Sequence, residues 1–595
     1  MEGPRIQRKQ QNTWLTILMA LSGAWAMDLH FGLSAADRGQ GVFDLLLTAG
    51  LFLLFRLFRA RTYQKTVRVR SAILGAVFVV LLAVGGDWFS AMRYGKFTNV
   101  PLYLLYYVNG FFGTFLLFYF GLCFLMTQLA QASPYATASP QKTIVRRIFL
   151  GTFVLCAAVY FVFLLNQYPG SMESDHMRQL KHLLSGTLEN RNPLINSLLV
   201  WGCVKLALLM GGSMNSGVFL YSILQLLLLS ATFAYGVSLL YRAGMKKWIL
   251  IASTLFCALV PYNIFYSYGM WKDTFFAIWL LMTVWKMLSL LLKNREGERI
   301  SGWDWLLLFG CALVCSLSRN SGWSALMLLG VCLFFVLNRS ALRLPMTGCI
   351  LGGVALALLL MGPVFTALGV APTADSVSAS CIPLQQVGQV LVDEKELTEE
   401  ERALIDAVVN VEQVKATFDP TCADPMKDAI YPKIAVFDGN KSDYVRLWLE
   451  LGRKYPLTYL RAYKNLLRMY YDPNVSSEVA YKWIYENDFG VYRDSKLLPQ
   501  LDFGYYETLL ELPTVNLVKR PGAILWWMLI LWQVCALRKS RRSRLLFLPF
   551  LAVFGGLFFT APVALFRYVY SAAAALPFLC CWPYMRLEEH PSGNE

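Results

Sequence analysis

Asn166-Gln-Tyr-Pro-Gly-Ser-Met-Glu-Ser-Asp-His-Met-Arg-Gln179 leaves a strongly apolar run and places Glu173, Asp175, His176 and Arg178 within six residues. Lys181, His182, Glu189 and Arg191 follow, and Asn192-Pro193 then opens another apolar run. Between two such runs, a patch of this polarity reads as a water-exposed loop, a site, or both. Everything else in the chain bears on which side of a membrane that patch lies.

The 595 residues are 56% hydrophobic and only 15% charged, against about 25% charged in ordinary soluble domains. Many apolar runs approach the ~20 residues that cross a hydrocarbon core of about 30 Å. The chain therefore reads as an all-α polytopic membrane protein. The run after Trp14, preceded by Arg5, Arg8 and Lys9, reads as a retained first span rather than a cleaved signal. The formal charge of +16 would suggest nucleic acid in a soluble protein. Here the basic residues stand in short clusters between spans, as the inside-positive bias requires, so no nucleic-acid partner is expected. Of thirteen cysteines, only Cys381 and Cys422 lie in the large polar segment, where a disulfide is permitted but not required.

Charge fixes the expected topology. Spans are expected at Trp14–His30, Val42–Leu57, Ser71–Gly86 and Leu102–Gln128, with Arg56–Arg70 and Lys142–Arg147 inside. A fifth, Ile148–Leu165, delivers the acidic stretch to the outer face. Counting Leu194–Met210 as a full span would put Arg242, Lys246, Lys247 and Lys293–Arg299 outside. Reading it as a half-inserted or surface-lying helix begun near Pro193 returns those clusters inside. Spans then follow at Val218–Leu240, Trp248–Tyr262, Thr274–Leu292, Trp303–Leu317, Gly322–Leu337, Met346–Phe365, Gly522–Cys535, Leu545–Phe559 and Val569–Trp582. That makes about 14 spans with both termini inside. Four regions result: 1–147 with four spans, a core at 148–366 with juxtamembrane helices at 166–216, a polar domain at 367–520, and three closing spans at 521–595. The polar domain holds 23 of the 38 acidic residues, and 396–415 and 442–470 read as helices, Pro456 beginning a new one. Its faces suit a helical core, a membrane-lying surface or a cap over the site.

With this topology Glu173/Asp175, Lys272-Asp273, Arg319-Asn320, the polar domain and Phe566-Arg567-Tyr568 all fall on the outer side. Charge at the membrane rim is costly unless it faces water, pairs or binds something. Glu173 and Asp175 suit a general base or metal ligands, since desolvation raises a carboxylate pKa and a cation lowers it. Asp175 is the first choice, flanked by His176 and Arg178. The plain alternative is a solvated acidic loop. His176 and His182, six apart with no cysteine partner, are a weak metal set. Asp273 near a helix N-terminus is favoured by the dipole, and Lys272 suits a phosphate or simply snorkels. Arg319 offers a planar fork to phosphate or carboxylate, and Arg567 sits among interfacial aromatics. No P-loop, dinucleotide glycine pattern, CxxC pair or HExxH is present, so ATP hydrolysis and zinc proteolysis are poor readings.

Tyr168-Pro-Gly-Ser-Met-Glu-Ser-Asp175, Asn192-Pro193, Gly269-Met-Trp-Lys-Asp273, Ser318-Arg-Asn320, Pro383-Leu-Gln-Gln386 and Phe566-Arg-Tyr568, taken in order, resemble bacterial polytopic membrane glycosyltransferases of the C type (the GT-C superfamily), nearest an uncharacterised Gram-positive branch. The resemblance runs from about residue 148 to the end. It implies a GT-C-like bundle with outer-face juxtamembrane helices and a mainly helical extracytoplasmic domain, in the cytoplasmic membrane with the active site outside. It implies a polyprenyl-phosphate-linked sugar as donor and a cell-envelope glycan, teichoic-type polymer or other hydroxyl acceptor. Asp175 or Glu173 would be the base. Lys272, Asp273, Arg319, Asn320, Arg567, Tyr568, His176, Arg178, Gln385 and Gln386 would serve substrate binding. No cofactor is implied beyond an optional divalent cation. The chain departs at Glu173, where a small polar residue is usual, and at Asn192, where histidine is. An envelope-polysaccharide polymerase or ligase is the nearest rival. A lipid-linked glycan transporter is a further one, disfavoured because no halves match and the charges gather at one rim.

Overall fold

The computed structural model describes residues 13–31, 42–85, 100–135, 140–190, 192–338, 340–371, 376–479, 484–497 and 511–587. Arg5, Arg8, Lys9, Arg191 and the side chain of Asn320 lie outside them. Among the described residues there are helices, turns and isolated bridges but no strands. The chain divides into two compact units. One comprises 1–133 and 529–539 and carries α1 (Thr13–Phe31), α2 (Val42–Arg59), α3 (Lys65–Gly85) and α4 (Val100–Gln131). Phe55, Met19 and Leu116 form its core.

The other unit, 134–528 with 540–595, holds every candidate site residue. Its helices run α5 (Lys142–Asn166), α6 (Ser174–Leu184), α7 (Leu194–Leu209), α8 (Met214–Arg242), α9 (Lys247–Leu259), α10 (Pro261–Tyr268), α11 (Lys272–Arg295), α12 (Gly302–Ser318), α13 (Asn320–Val336) and α14 (Arg343–Leu359). A helical domain follows with α15 (Cys381–Val392), α16 (Glu399–Val408), α17 (Val411–Thr417), α18 (Asp424–Ile430), α19 (Ile434–Gly439), α20 (Lys441–Lys454) and α21 (Pro456–Tyr471). Then come α22 (Pro521–Leu537), which passes between the units, α23 (Arg541–Thr560) and α24 (Tyr570–Leu579).

This is a helical membrane protein. Among the described residues, seven helices are by themselves long and apolar enough to cross a bilayer: α3, α4 from Tyr107, α5, α8, α11, α14 with its extension to Ala367, and α23. An eighth candidate is the pair α9 and α10, bent by 51°. Pro261 makes that bend: it lacks an N–H for the α9 ladder and biases Val260 toward extended backbone, and Val260 sits at φ −67, ψ 124. Carbonyls freed at the break are taken up inside the bundle, where Asn263 Nδ2 donates to the Cys257 oxygen at 3.3 Å and the Tyr160 hydroxyl also donates to it.

Expectation and structure differ at two other places. Val569–Trp582 contains only the ten-residue α24, with a 3-10 turn on each side. Ten residues rise about 15 Å, half a hydrocarbon core. The stretch 396–415 is two helices, because extended Val409 and the Asn410 cap, whose Oδ1 accepts from Gln413 N–H, end one and begin the next. Pro456 does begin α21, as expected of a residue that needs no partner for its nitrogen.

The centre of the bundle is α11, 89% of whose apolar window is buried against 22% for α5. Apolar side chains of α5 such as Leu150, Val154 and Val162 face outward, as lipid contact demands. The helical domain has its own core, in which Leu447, Leu451, Ile405, Val390 and Met426 meet; Tyr444 and Tyr455 pack on it, as their helical spacing predicts.

Candidate functional site

Two motif segments a hundred residues apart are fastened side by side. Ser171 pairs with Gly269 in a parallel bridge, Ser171 N–H donates to the Tyr268 oxygen at 3.4 Å, and Met270 N–H donates to the Ser171 oxygen at 3.2 Å. Gly170 permits this approach. Its φ is +132, and a Cβ there would stand 2.6 Å from Ser222 Oγ and 2.7 Å from the Tyr268 oxygen. Gln225, from α8, donates to the oxygens of Tyr266 and Gly269 at 3.0 and 2.5 Å. The result sets the start of α6, with Glu173 and Asp175, against the start of α11, with Lys272 and Asp273.

Two arginines from later in the chain complete the cluster. Arg319, extended between α12 and α13, puts Nη1 2.7 Å from Asp273 Oδ1. Arg567 lies between both carboxylates, Nη1 3.7 Å from Asp175 Oδ2 and Nε 3.9 Å from Asp273 Oδ2. Lys272 Nζ is 4.0 Å from Asp175 Oδ2 and donates to Asn192 Oδ1 at 3.1 Å, while Asn192 Nδ2 donates to the Asp175 main-chain oxygen at 3.1 Å. Aromatic faces hold the guanidinium groups: Arg567 is 4.2 Å from the Trp271 ring centroid, and Arg319 is 4.7 Å from that of Tyr568. Such contacts orient a planar cation without neutralising it.

Asp273 is 1% exposed, so its charge depends on its partners. Arg319 Nη1 comes close but off the hydrogen-bond direction, and neither Asp273 oxygen makes an aligned hydrogen bond. At Asp273 the two arginines act through charge proximity, while Asn192 ties Lys272 to the Asp175 main chain by hydrogen bonds.

Glu173 is pushed up to about 7, chiefly by burial; Arg567 pulls it down while Asp175 and Glu478 push it up. Its carboxyl exchanges a proton near neutrality, which suits acid–base work. His176 is buried, and burial pulls it down to about 3 against the opposing pull of Asp175, so it is neutral at ordinary pH. Its Nδ1 accepts from the Glu173 N–H at 2.9 Å, and its ring meets Trp271 edge-on at 4.4 Å. His176 thus pins the Glu173 turn to the aromatic that carries Arg567.

Arg178, Gln385 and Gln386 are placed apart from this cluster. Arg178 is exposed on α6. Gln385 and Gln386 turn into the helical domain: Gln385 Nε2 donates to the Asp419 oxygen at 2.6 Å, and Gln386 Oε1 accepts from Trp448 Nε1 at 2.8 Å. Asn320 opens α13. Asn192, which the sequence placed in the same loop as Asp175, joins the site, and Trp271, Tyr470 and Glu478 act in or on it without having been singled out. Trp271 adjoins Lys272-Asp273 in sequence and was the readable one. Tyr470 has no local signal: from α21 its hydroxyl donates to the oxygens of Val563 and Leu565 and accepts from Leu565 N–H at 3.0 Å, fixing the strand-like lead-in to Arg567. Ala423–Pro562, Ala564–Thr421 and Phe566–Ser477 hydrogen bonds stitch the same lead-in to the helical domain.

A resident divalent cation does not fit this donor set. Asp175 and Asp273 already face Lys272, Arg319 and Arg567, His176 spends Nδ1 on a backbone N–H, and a metal would share the space with three cations. The chemistry the arrangement favours is capture of an anion, most simply a phosphate, beside a carboxyl that titrates near neutrality.

A family model described as a family of unknown function (DUF6020) matches residues 183–594, so the chain belongs to that family. No curated protein and no solved structure matches.

Proposed function

We propose that this member of the DUF6020 family is a glycosyltransferase of the C type, moving a sugar from a polyprenyl-phosphate donor to a hydroxyl of a cell-envelope glycan or related polymer. In this reading both termini lie in the cytoplasm, α6 and α7 lie along the outer face, and the cluster opens outside a bacterial cytoplasmic membrane. The observation that carries it is the meeting of Lys272, Arg319 and Arg567 from three distant segments around Asp175 and Asp273, beside Glu173.

The donor phosphodiester would take the three cations, displacing part of their contact with the aspartates. The acceptor oxygen attacks the anomeric carbon and the bond from that carbon to the phosphate oxygen breaks. The electron pair leaves on the polyprenyl phosphate, whose added charge the cations stabilise. The hydroxyl proton passes to the ionised Glu173. Direct displacement inverts the anomeric centre. Asp175 is the positioning group for Lys272 and Arg567, and Asp273 for Arg319.

Reconstitution in vesicles with radiolabelled polyprenyl-phosphate sugars tests the reading. Transfer that survives a divalent-ion chelator and is lost in Glu173→Gln is expected. No transfer from any such donor, together with binding of an intact lipid-linked oligosaccharide, would replace the reading with a polymerase or ligase.

A further inference from the structure

The helical domain contains a cavity of about 270 Å³ that the site described above does not use. Its walls include Leu384 and Val387 of α15, Ile405 of α16, Met426 of α18, Phe437 of α19 and Trp448 of α20. It lies within the domain's core, beside residues that are themselves almost fully buried. Polar groups gather at its rim: Ser376, Ser380 and Lys441, the last pairing with Asp438 at 3.0 Å while Asp438 accepts from Ser376. Val445, which also lines it, is 56% exposed, and Leu449, one helical turn on, is exposed too.

We infer that this cavity binds the hydrocarbon chain of an amphiphile whose polar head stays at the Ser376–Lys441 rim. An engineered cavity of about 150 Å³ takes a benzene ring. In proportion this one takes an aliphatic stretch of about ten carbons. The walls offer almost no polar partner, so a sugar or a nucleotide would lose its hydrogen bonds on entering. The source of such chains is at hand, because the domain packs on the spanning candidate α23, whose Phe558 oxygen accepts from the Tyr463 hydroxyl at 2.8 Å. Exposed Val445 and Leu449 extend the apolar path beyond the mouth. This inference does not depend on the transferase reading.

The test uses the full chain in phosphatidylcholine nanodiscs and palmitic acid carrying a terminal diazirine. Irradiation followed by peptide mass spectrometry should place adducts on 381–392 and 441–454, and unlabelled palmitic acid should compete them away. Val387→Phe and, from a different wall, Ile405→Phe should each cut that labelling several-fold while adducts on the spanning helices stay constant. A phosphatidylcholine with the diazirine at the chain end, run in parallel, separates a bilayer phospholipid from a free single-chain amphiphile as the source. Adducts confined to the spanning helices, or adducts on 381–392 and 441–454 that no unlabelled chain displaces, would overturn the inference. The competition experiment needs no variant, so it stands even where a filled cavity prevents folding.

Discussion

Helix α11 carries two ionic clusters, and they are built differently. At its start Asp273 meets Arg319 and Arg567 at 2.7 and 3.9 Å with neither oxygen in an aligned hydrogen bond. Toward its end Lys286 and Lys293 reach Asp304 at 3.3 and 2.7 Å, and Ser301 gives Asp304 both its N–H and its hydroxyl at 3.0 and 2.9 Å. Asp273 and Lys293 are about 30 Å apart along the helix, the thickness of a hydrocarbon core. The Asp304 cluster saturates its carboxylate from within, as a structural ion pair must when buried. At Asp273 two arginines approach without an aligned hydrogen bond to either carboxylate oxygen, and both stack on aromatic rings. One carboxylate is hydrogen-bonded on both oxygens, the other on neither.

Experiments can break or sharpen that contrast. The largest effect belongs to Glu173→Gln. If Glu173 takes the proton, transfer should fall about 10²–10⁴-fold. Its carboxyl is pushed up to about 7: protonated below and ionised above. Wild-type kcat/KM should therefore rise with pH through about 7, and the variant's residual rate should not. Asp175→Asn should lower activity yet keep that pH limb; loss of the limb would hand the proton to Asp175.

Next comes Asp304→Asn, which strands two lysines. It should cost about 3–5 kcal/mol of stability, read by thermal unfolding in detergent, with donor affinity unchanged. A loss of donor binding without loss of stability would erase the distinction between the clusters. Arg567→Ala should weaken polyprenyl-phosphate binding by about 10–100-fold, the range for a hydrogen bond to a charged group, seen by competition with a labelled lipid phosphate. The smallest effect is expected of Tyr470→Phe, where loss of one net hydrogen bond of about 1 kcal/mol should reduce transfer about five-fold while the melting temperature moves little.

The sequence showed much of this because membrane helices announce themselves. The apolar run of α5, the pair Lys272-Asp273 at the head of α11 and Arg319 between two helices are all legible, since charge beside hydrocarbon is conspicuous. Convergence of these pairs was expected from their shared side. The join between Gly170-Ser171 and Gly269-Met270 was not readable, because a single bridge across a hundred residues leaves no periodic signal. His176 read from the sequence as a weak metal ligand, because its burial against Trp271 is a tertiary fact. Gln385 and Gln386 looked similarly available, until the fold turned α15 inward.

The seam along Thr421, Ala423, Tyr470 and Ser477 has an evolutionary consequence. Arg567 inherits its coordinates from helices that precede it by about a hundred residues, so the domain 376–479 is not an interchangeable attachment. A lineage could vary that domain's far side freely, but a graft with a different edge would lose the hydrogen bonds that hold the lead-in to Arg567. Drift in one half of the molecule is thereby tethered to the chemistry of the other.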